Sequence, residues 1–173
     1  MKKTTFLAAM AMCLMLSCQK AQTISEKERG LNLKAPSGDL VANGISALKL
    51  RTVKVIQSQG LNSEDFEIIS INYLQVKKGV AAVIYYQLQD GTFDGYAFLS
   101  GVRYVLTPSG LRVFLNEATT QGQRAGDQSF VCVKTNDCTG KCKAPPEIIL
   151  TENGEFGGFD CGCSDKCETK EVQ

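Results

Sequence analysis

The stretch that decides the fold is FEIISINYLQVKKGVAAVIYYQLQDG, residues 66–91. Phe66 and Ile68, and then Ile69, Ile71 and Tyr73, alternate with polar residues, the period of a strand with one face buried. The change of phase between Ile68 and Ile69 predicts a β-bulge, because one extra residue moves every later side chain to the other face. Lys77-Lys78-Gly79 reads as a turn. Val80 to Leu88 is the most apolar strand and therefore the expected central one. Asp90-Gly91 is a two-residue hairpin signal. Thr92 to Leu99 returns, Val102 to Thr107 follows, Pro108-Ser109-Gly110 turns, and Leu111 to Leu115 closes the set. Strands joined by such short turns predict an antiparallel meander.

Upstream, residues 44–58 read GISALKLRTVKVIQS. Ile45, Leu48, Val53 and Ile56 approximate helical spacing, although Leu50 and Val55 break the stripe. Asn43 or Ser46 is placed to cap the start and Gly60 to end it. A strand over residues 48–56 is the competing reading, since LKLRTVKVI also alternates. A helix here would cover one face of the meander. Residues 43–116 are thus expected to form a small α+β domain, one N-terminal helix packed on an antiparallel β-meander. Between residues 19 and 39 the chain is polar (QKAQTISEKERGLNLKAPSGD), so residues 18–42 read as a flexible tether.

After a polar, glycine-containing loop (NEATTQGQRAGDQ, residues 116–128), the character changes. Residues 128–173 hold Cys132, Cys138, Cys142, Cys161, Cys163 and Cys167, spaced C-x5-C-x3-C and then C-x-C-x3-C. So short a segment builds little core of its own, and disulfides are the favoured reading for an even cysteine count in an exported chain. A soft-metal or iron–sulfur site competes, but C-x2-C zinc spacing and ferredoxin spacing are both missing. No C-x-x-C redox pair is written. Glu152-Asn153-Gly154 predicts a hairpin turn between Glu147–Thr151 and Glu155–Phe159, the expected disulfide-stapled tail. With Thr151 facing Glu155, the extended ladder favours the pairs Cys138–Cys167 and Cys142–Cys163, leaving Cys132–Cys161. A C-x-C loop is too tight for Cys161 to bond Cys163.

At the start of the chain, Lys2 and Lys3 precede the apolar run Phe6–Leu16. That run is shorter than the roughly 20 residues a membrane-spanning helix needs, and reads as a secretory signal over residues 1–17. It ends in Met15-Leu16-Ser17-Cys18, which resembles a lipobox, with a small residue before the cysteine; Met15 departs from the leucine usual at that place. Cys13, preceded by Met12, is a poor second choice. The layout, meaning this signal, the helix-then-strands segment and the cysteine-rich end, resembles small exported bacterial lipoproteins of uncharacterised Gram-negative families. The resemblance implies a diacylglycerol on the Cys18 thiol, palmitate-type acyl chains and a membrane anchor. Gln19 after the cysteine, rather than Asp, resembles sequences sorted to the outer membrane.

Composition narrows the chemistry. Lys plus Arg number 19 against 18 Asp plus Glu, with a net charge of +1, so there is no basic field for nucleic acid. The chain has no His and no Trp. The first absence removes the usual neutral-pH general base, the Ser-His and Cys-His pairs and every His-containing zinc site. No cofactor and no catalytic residue is expected, and the favoured function is a lipid-anchored, non-enzymatic binding or structural module, with an envelope protein or cell-surface ligand as partner. A soft-metal protein using the tail and a carboxylate-dependent envelope enzyme are the alternatives. Tyr73, Tyr85, Tyr86, Tyr96 and Phe98 read as core packing first and as a binding face second.

Overall fold

The computed structural model describes residues 23–76, 79–101, 105–107, 110–112, 126–134, 142–150, 152, 156–162 and 167–172, with backbone only for 105–107 and 110–112. The secretory signal with Cys13 and Cys18, the Lys77-Lys78 and Pro108-Ser109 turn residues, the loop before residue 126, and Cys138 and Cys163 lie outside these.

The chain folds as helices plus strands in the order α1 (Glu26–Arg29), α2 (Ile45–Ser58), β1 (Phe66–Leu74), β2 (Val80–Leu88), β3 (Phe93–Ser100), β4 (Val105–Thr107), β5 (Gly110–Arg112), β6 (Gln128–Lys134), β7 (Glu147–Leu150), β8 (Phe156–Asp160) and β9 (Cys167–Val172). Five strands form one antiparallel sheet in the order β1-β2-β3-β6-β9. The β1–β2 register shifts between Ile68 and Ser70, where the change of phase predicts a bulge. Asp90-Gly91 does stand in the β2–β3 turn, but the loop is longer than the two residues the signal predicts: Leu88 N donates to Thr92 O, so Gln89, Asp90 and Gly91 form it, with positive φ at Gly91 alone, +86°, and the Asp90 carboxylate accepting from Thr92 N at 2.8 Å.

Successive strand residues face opposite sides, and both sides are buried. Ile68, Ala82, Ile84, Tyr86, Tyr96, Phe98 and Val131 share one apolar cluster with Leu48, Val55 and Ile56 of α2. Ala81, Val83, Ala97, Leu99 and Phe130 share a second cluster with Ile148 of β7 and Phe156 of β8. Each fully buried large side chain contributes about 1.5–3 kcal/mol against exposure. Residues of α2 and of the β7–β8 hairpin thus share apolar clusters with alternate residues of the sheet strands.

Four further expectations need correction. The meander does not continue from β3 into β4. β4 and β5 pair only with each other among the described strands, and β6 takes the place beside β3. The cysteine-rich segment is not merely a tail: besides the β7–β8 hairpin it supplies β6 and β9 to the main sheet, so residues 43–116 and 128–173 share one sheet. The helix start is Gly44, with φ +133° and no side-chain cap, rather than Asn43 or Ser46; Gly60, at φ +74°, does follow its end.

The fourth correction concerns the tether, because from Thr23 onward the chain is part of the folded body. Ser25 and Glu28 form a capping box around α1, each side chain bonding the other's backbone N–H. Lys34 bridges Leu40, and Ala35, Val41 and Ala42 are buried in the α2-side cluster.

Candidate functional site

Two polar side chains sit on the buried face of α2, and both are satisfied. Lys49 is 4 % exposed and Glu28 is wholly buried. The Lys49 ammonium donates to both Glu28 carboxylate oxygens, at 2.7 and 2.9 Å, and to Thr23 O at 3.1 Å. It also stands 5.0 Å from the centre of the Phe66 ring. Glu28 accepts in addition from Ile68 N at 3.0 Å and from Ser25 N at 2.9 Å. One ion pair thereby joins the segment entering the fold to α2 and to the edge strand β1. A buried pair is tolerable only when its remaining donors and acceptors are met, as here. Thr52 contacts the Tyr96 hydroxyl at 3.0 Å and donates to Leu48 O. Burial pushes the Tyr96 hydroxyl pKa up to about 12.

The end of α2 carries the second polar cluster. The Tyr86 hydroxyl donates to the Gln59 amide oxygen at 2.8 Å, and the Gln59 amide nitrogen donates to Asp94 at 3.4 Å. Burial raises the Asp94 carboxyl pKa, partly offset by the bonds from Gly95 N and Gln59. Burial, and then the negative charge of Asp94, raises the Tyr86 hydroxyl. The neighbours of Asp94 are thus a tyrosine and an amide. A second convergent carboxylate, the arrangement that would favour acid–base catalysis, is not seen there among the described residues.

Arg51 ties the α2 face to the sheet's far strands. Its guanidinium lies 4.2 Å over the Phe98 ring and bonds Val41 O and, at 3.0 Å, Asp127, whose other oxygen accepts from Ser100.

The hairpin layer is held by covalent bonds. Cys132 on β6 is bonded to Cys161 just after β8, the pair the sequence predicts. Cys142, before β7, is bonded to Cys167 at the head of β9, which rules out both Cys138–Cys167 and Cys142–Cys163. A register shift contributes to the error, and the placement of Cys167 on β9, off the hairpin ladder, does the rest. Glu147 faces Asp160 and Ile149 faces Gly158, but Leu150 faces Phe156, so a bulge shifts the ladder by one residue from the register the turn implies. The two bonds therefore hold the hairpin at its open end, one on the chain entering it and one on the chain leaving it. Lys143 adds an ionic clasp, donating to both Glu147 and Asp160, while its backbone N–H donates to Cys161 O at 2.9 Å. That clasp raises the Lys143 pKa and lowers that of Asp160. Four of the six tail cysteines are consumed as disulfides, and no group of three metal-ligating side chains is assembled among the described residues.

The aromatic residues fall on the core side of the two readings. Tyr86, Tyr96 and Phe98 are fully buried, Tyr73 and Tyr85 half-buried, and the Tyr73 hydroxyl is bonded to Asn32 O. A surface cleft of about 300 Å³ lies between residues 35–37 and the β1–β2 end, with Ser37 and Gln75 its polar side chains. It presents no charged group among its described lining residues.

Sequence reasoning passed over Glu28, Lys49 and the Asp94 cluster. The Ser25-Glu-Lys-Glu28 capping signature was the available sign of α1. Nothing local marks Lys49 or Asp94 as buried.

Comparison of the chain with protein-family models, with curated proteins and with solved structures finds no match. Two disulfides mark an oxidising, extracytoplasmic compartment. No helix among the described residues is long and apolar enough to cross a membrane.

Proposed function

We propose that this chain is a lipid-anchored module of the cell envelope, held by acyl chains on Cys18 and acting by binding or structural support rather than by catalysis. The observation that carries the reading is the division of its cysteines. Tail cysteines close disulfides, which require export, and Cys18 stands behind Ser17 at the end of the apolar run that export would use. Gln19 favours the outer membrane as its destination. Two or three acyl chains hold a protein far more firmly than one, at about 0.8 kcal/mol per buried methylene.

In this reading α2 is the lid on one face of the meander-derived sheet and the stapled hairpin closes the other. The body is a rigid platform, and its partner is an envelope protein or a cell-surface ligand. Catalysis is disfavoured by the lack of histidine and by the solitary setting of Asp94. The soft-metal alternative loses the four thiolates that disulfides consume.

Mass spectrometry of the amino-terminal peptide from membranes tests the anchor: the expected result is a mature chain starting at an acylated Cys18. Cys18→Ala is expected to release the folded protein from the membrane fraction. Retention of the variant on the membrane without any acyl chain would sink the proposal. Co-purification of the anchored protein with its neighbours tests the binding role, and a protein that emerges alone under mild cross-linking counts against it.

A further inference from the structure

Resting on the Cys18 anchor proposed above, we infer that the folded body lies close against the lipid headgroups, with the corner formed by residues 23–29 turned toward them and the disulfide-stapled hairpin turned away. The inference comes from where the fold begins. Thr23 O accepts from the buried Lys49 ammonium at 3.1 Å, and Ser25 and Glu28 lock the next turn by their capping box. The chain from Thr23 onward is therefore committed to the body and supplies no reach.

What remains between anchor and body is Gln19 to Gln22. From Cys18 to Thr23 is five residue steps, and a chain extends at most about 3.6 Å per residue, so the span is at most about 18 Å whatever its conformation. The body is thicker than that. Its layers are α2, the sheet and the β7–β8 hairpin, and layers stack about 10 Å apart, which gives roughly 30 Å across.

The entry corner lies on the α2 side of the sheet. Leu31, Leu33, Ala35 and Val41 belong to the same apolar cluster as α2, and Glu28 bonds the edge strand β1. The hairpin belongs to the opposite cluster. A connection of about 18 Å does not pass around a body of about 30 Å, so the hairpin face cannot be the one laid on the lipid. The kind of surface that meets the corner is a phospholipid headgroup layer, and the hairpin face is the one presented to the surrounding aqueous space.

The absence of tryptophan from the chain makes a direct test simple. Lys27, whose side chain is 79 % exposed and outside the capping box, and Ile149, exposed on the outer side of β7, are each replaced in the full chain, as Lys27→Trp and Ile149→Trp. The acylated proteins are reconstituted into phosphatidylcholine vesicles containing dansyl-labelled phosphatidylethanolamine, and energy transfer from tryptophan to the headgroup dye is measured. Transfer from the Lys27→Trp reporter is expected to exceed that from the Ile149→Trp reporter at least about twofold, given the layer spacing. Inserting about 20 Gly/Ser residues between Gln22 and Thr23 is expected to erase the difference, because the added reach exceeds the body's thickness. Equal transfer from the two sites without the insertion, or stronger transfer from the hairpin site, overturns the inference while leaving the anchor intact. A Cys18 peptide whose mass shows no acyl chain overturns both, so the two failures are told apart by mass alone.

Discussion

Lys49 is the residue on which the entry of the chain depends. Its ammonium is surrounded by Glu28, Thr23 O and the Phe66 ring, with water excluded. Removing it by Lys49→Met strands the Glu28 carboxylate in the core, and breaking a buried pair from one side costs about 3–5 kcal/mol. Urea unfolding is expected to show a loss of that order. The double variant Glu28→Gln with Lys49→Met removes both charges and keeps an acceptor for one of Ile68 N and Ser25 N, so it should recover part of the loss. A double variant as unstable as the single one would show that the charges themselves are not what matters. Asp94 makes the opposite prediction. Burial raises its folded pKa above the unfolded value, so the unfolded chain gives up the proton first. Its contribution is favourable below the ordinary carboxylate range and is lost as pH rises through the raised folded value. Asp94→Asn, which keeps an acceptor for Gly95 N and puts a donor where Gln59 now donates, so that the Gln59 amide must turn over and donate to the Tyr86 hydroxyl instead, is expected to raise Tm at neutral pH, with the gain shrinking in acid. A Tm gain independent of pH would contradict this assignment.

At the scale of elements, what the sequence reveals depends on how local the deciding interaction is. The bulge in β1 and the Asp90-Gly91 turn are written in adjacent residues, and both are found where their signals stand, although the turn is one residue longer than its signal says. The α2 stripe is blurred because two of its five buried positions, Lys49 and Thr52, are polar, while Leu50 is 57 % exposed. Their partners come from other elements, so no window along the helix announces them. The order β3-β6-β9 is set by pairings across long stretches of chain, where hairpin logic stops. The hairpin signal at Glu152-Asn153-Gly154 places β7 and β8 beside each other, but the ladder shifts register beyond it and Cys167 belongs to β9, paired with β6, so the hairpin alone does not give the cysteine pairing. Of the lipid anchor nothing is read from the fold, since Cys18 lies outside the described residues. One glycine does signal a close approach. Gly95 sits within β3, where a Cβ would stand 2.7 Å from Ile84 O and 3.2 Å from Pro145. The segment leading into the hairpin crosses the sheet at this point because there is no side chain in its way. Gly95→Ala should force backbone apart and cost about 1–3 kcal/mol by overpacking. Ile149→Ala, on the exposed outer side of the hairpin, should cost far less in the same denaturation series. A Gly95→Ala chain of unchanged stability would mean that this crossing has room to relax.

Across the whole molecule, two disulfides convert a short hairpin into a fixed third layer. The hairpin supplies Ile148, Phe156 and half-buried Phe159 to the second cluster, too little apolar surface to stay ordered alone. Cys132–Cys161 and Cys142–Cys167 close chain separations of 29 and 25 residues. By the loop-entropy relation each restricts the unfolded chain by about 3.5 kcal/mol. Replacing Cys142 and Cys167 together by serine should lower unfolding stability by that order. Sheet signals in circular dichroism should be largely kept, because β1, β2, β3 and β6 pair without that bond. The same connectivity predicts the fate of the remaining cysteines. With Cys132, Cys142, Cys161 and Cys167 engaged, Cys138 and Cys163 are the two cysteines left in the tail, and an even cysteine count in an oxidising compartment predicts a third bond between them. The expected outcome for the mature tail is no cysteine that alkylates before reduction, and a non-reducing digest that links the Cys138 and Cys163 peptides. Alkylation of both residues in the native protein would sink the third bond. A cross-link from either one to Cys132, Cys142, Cys161 or Cys167 would overturn the connectivity that holds the hairpin in place.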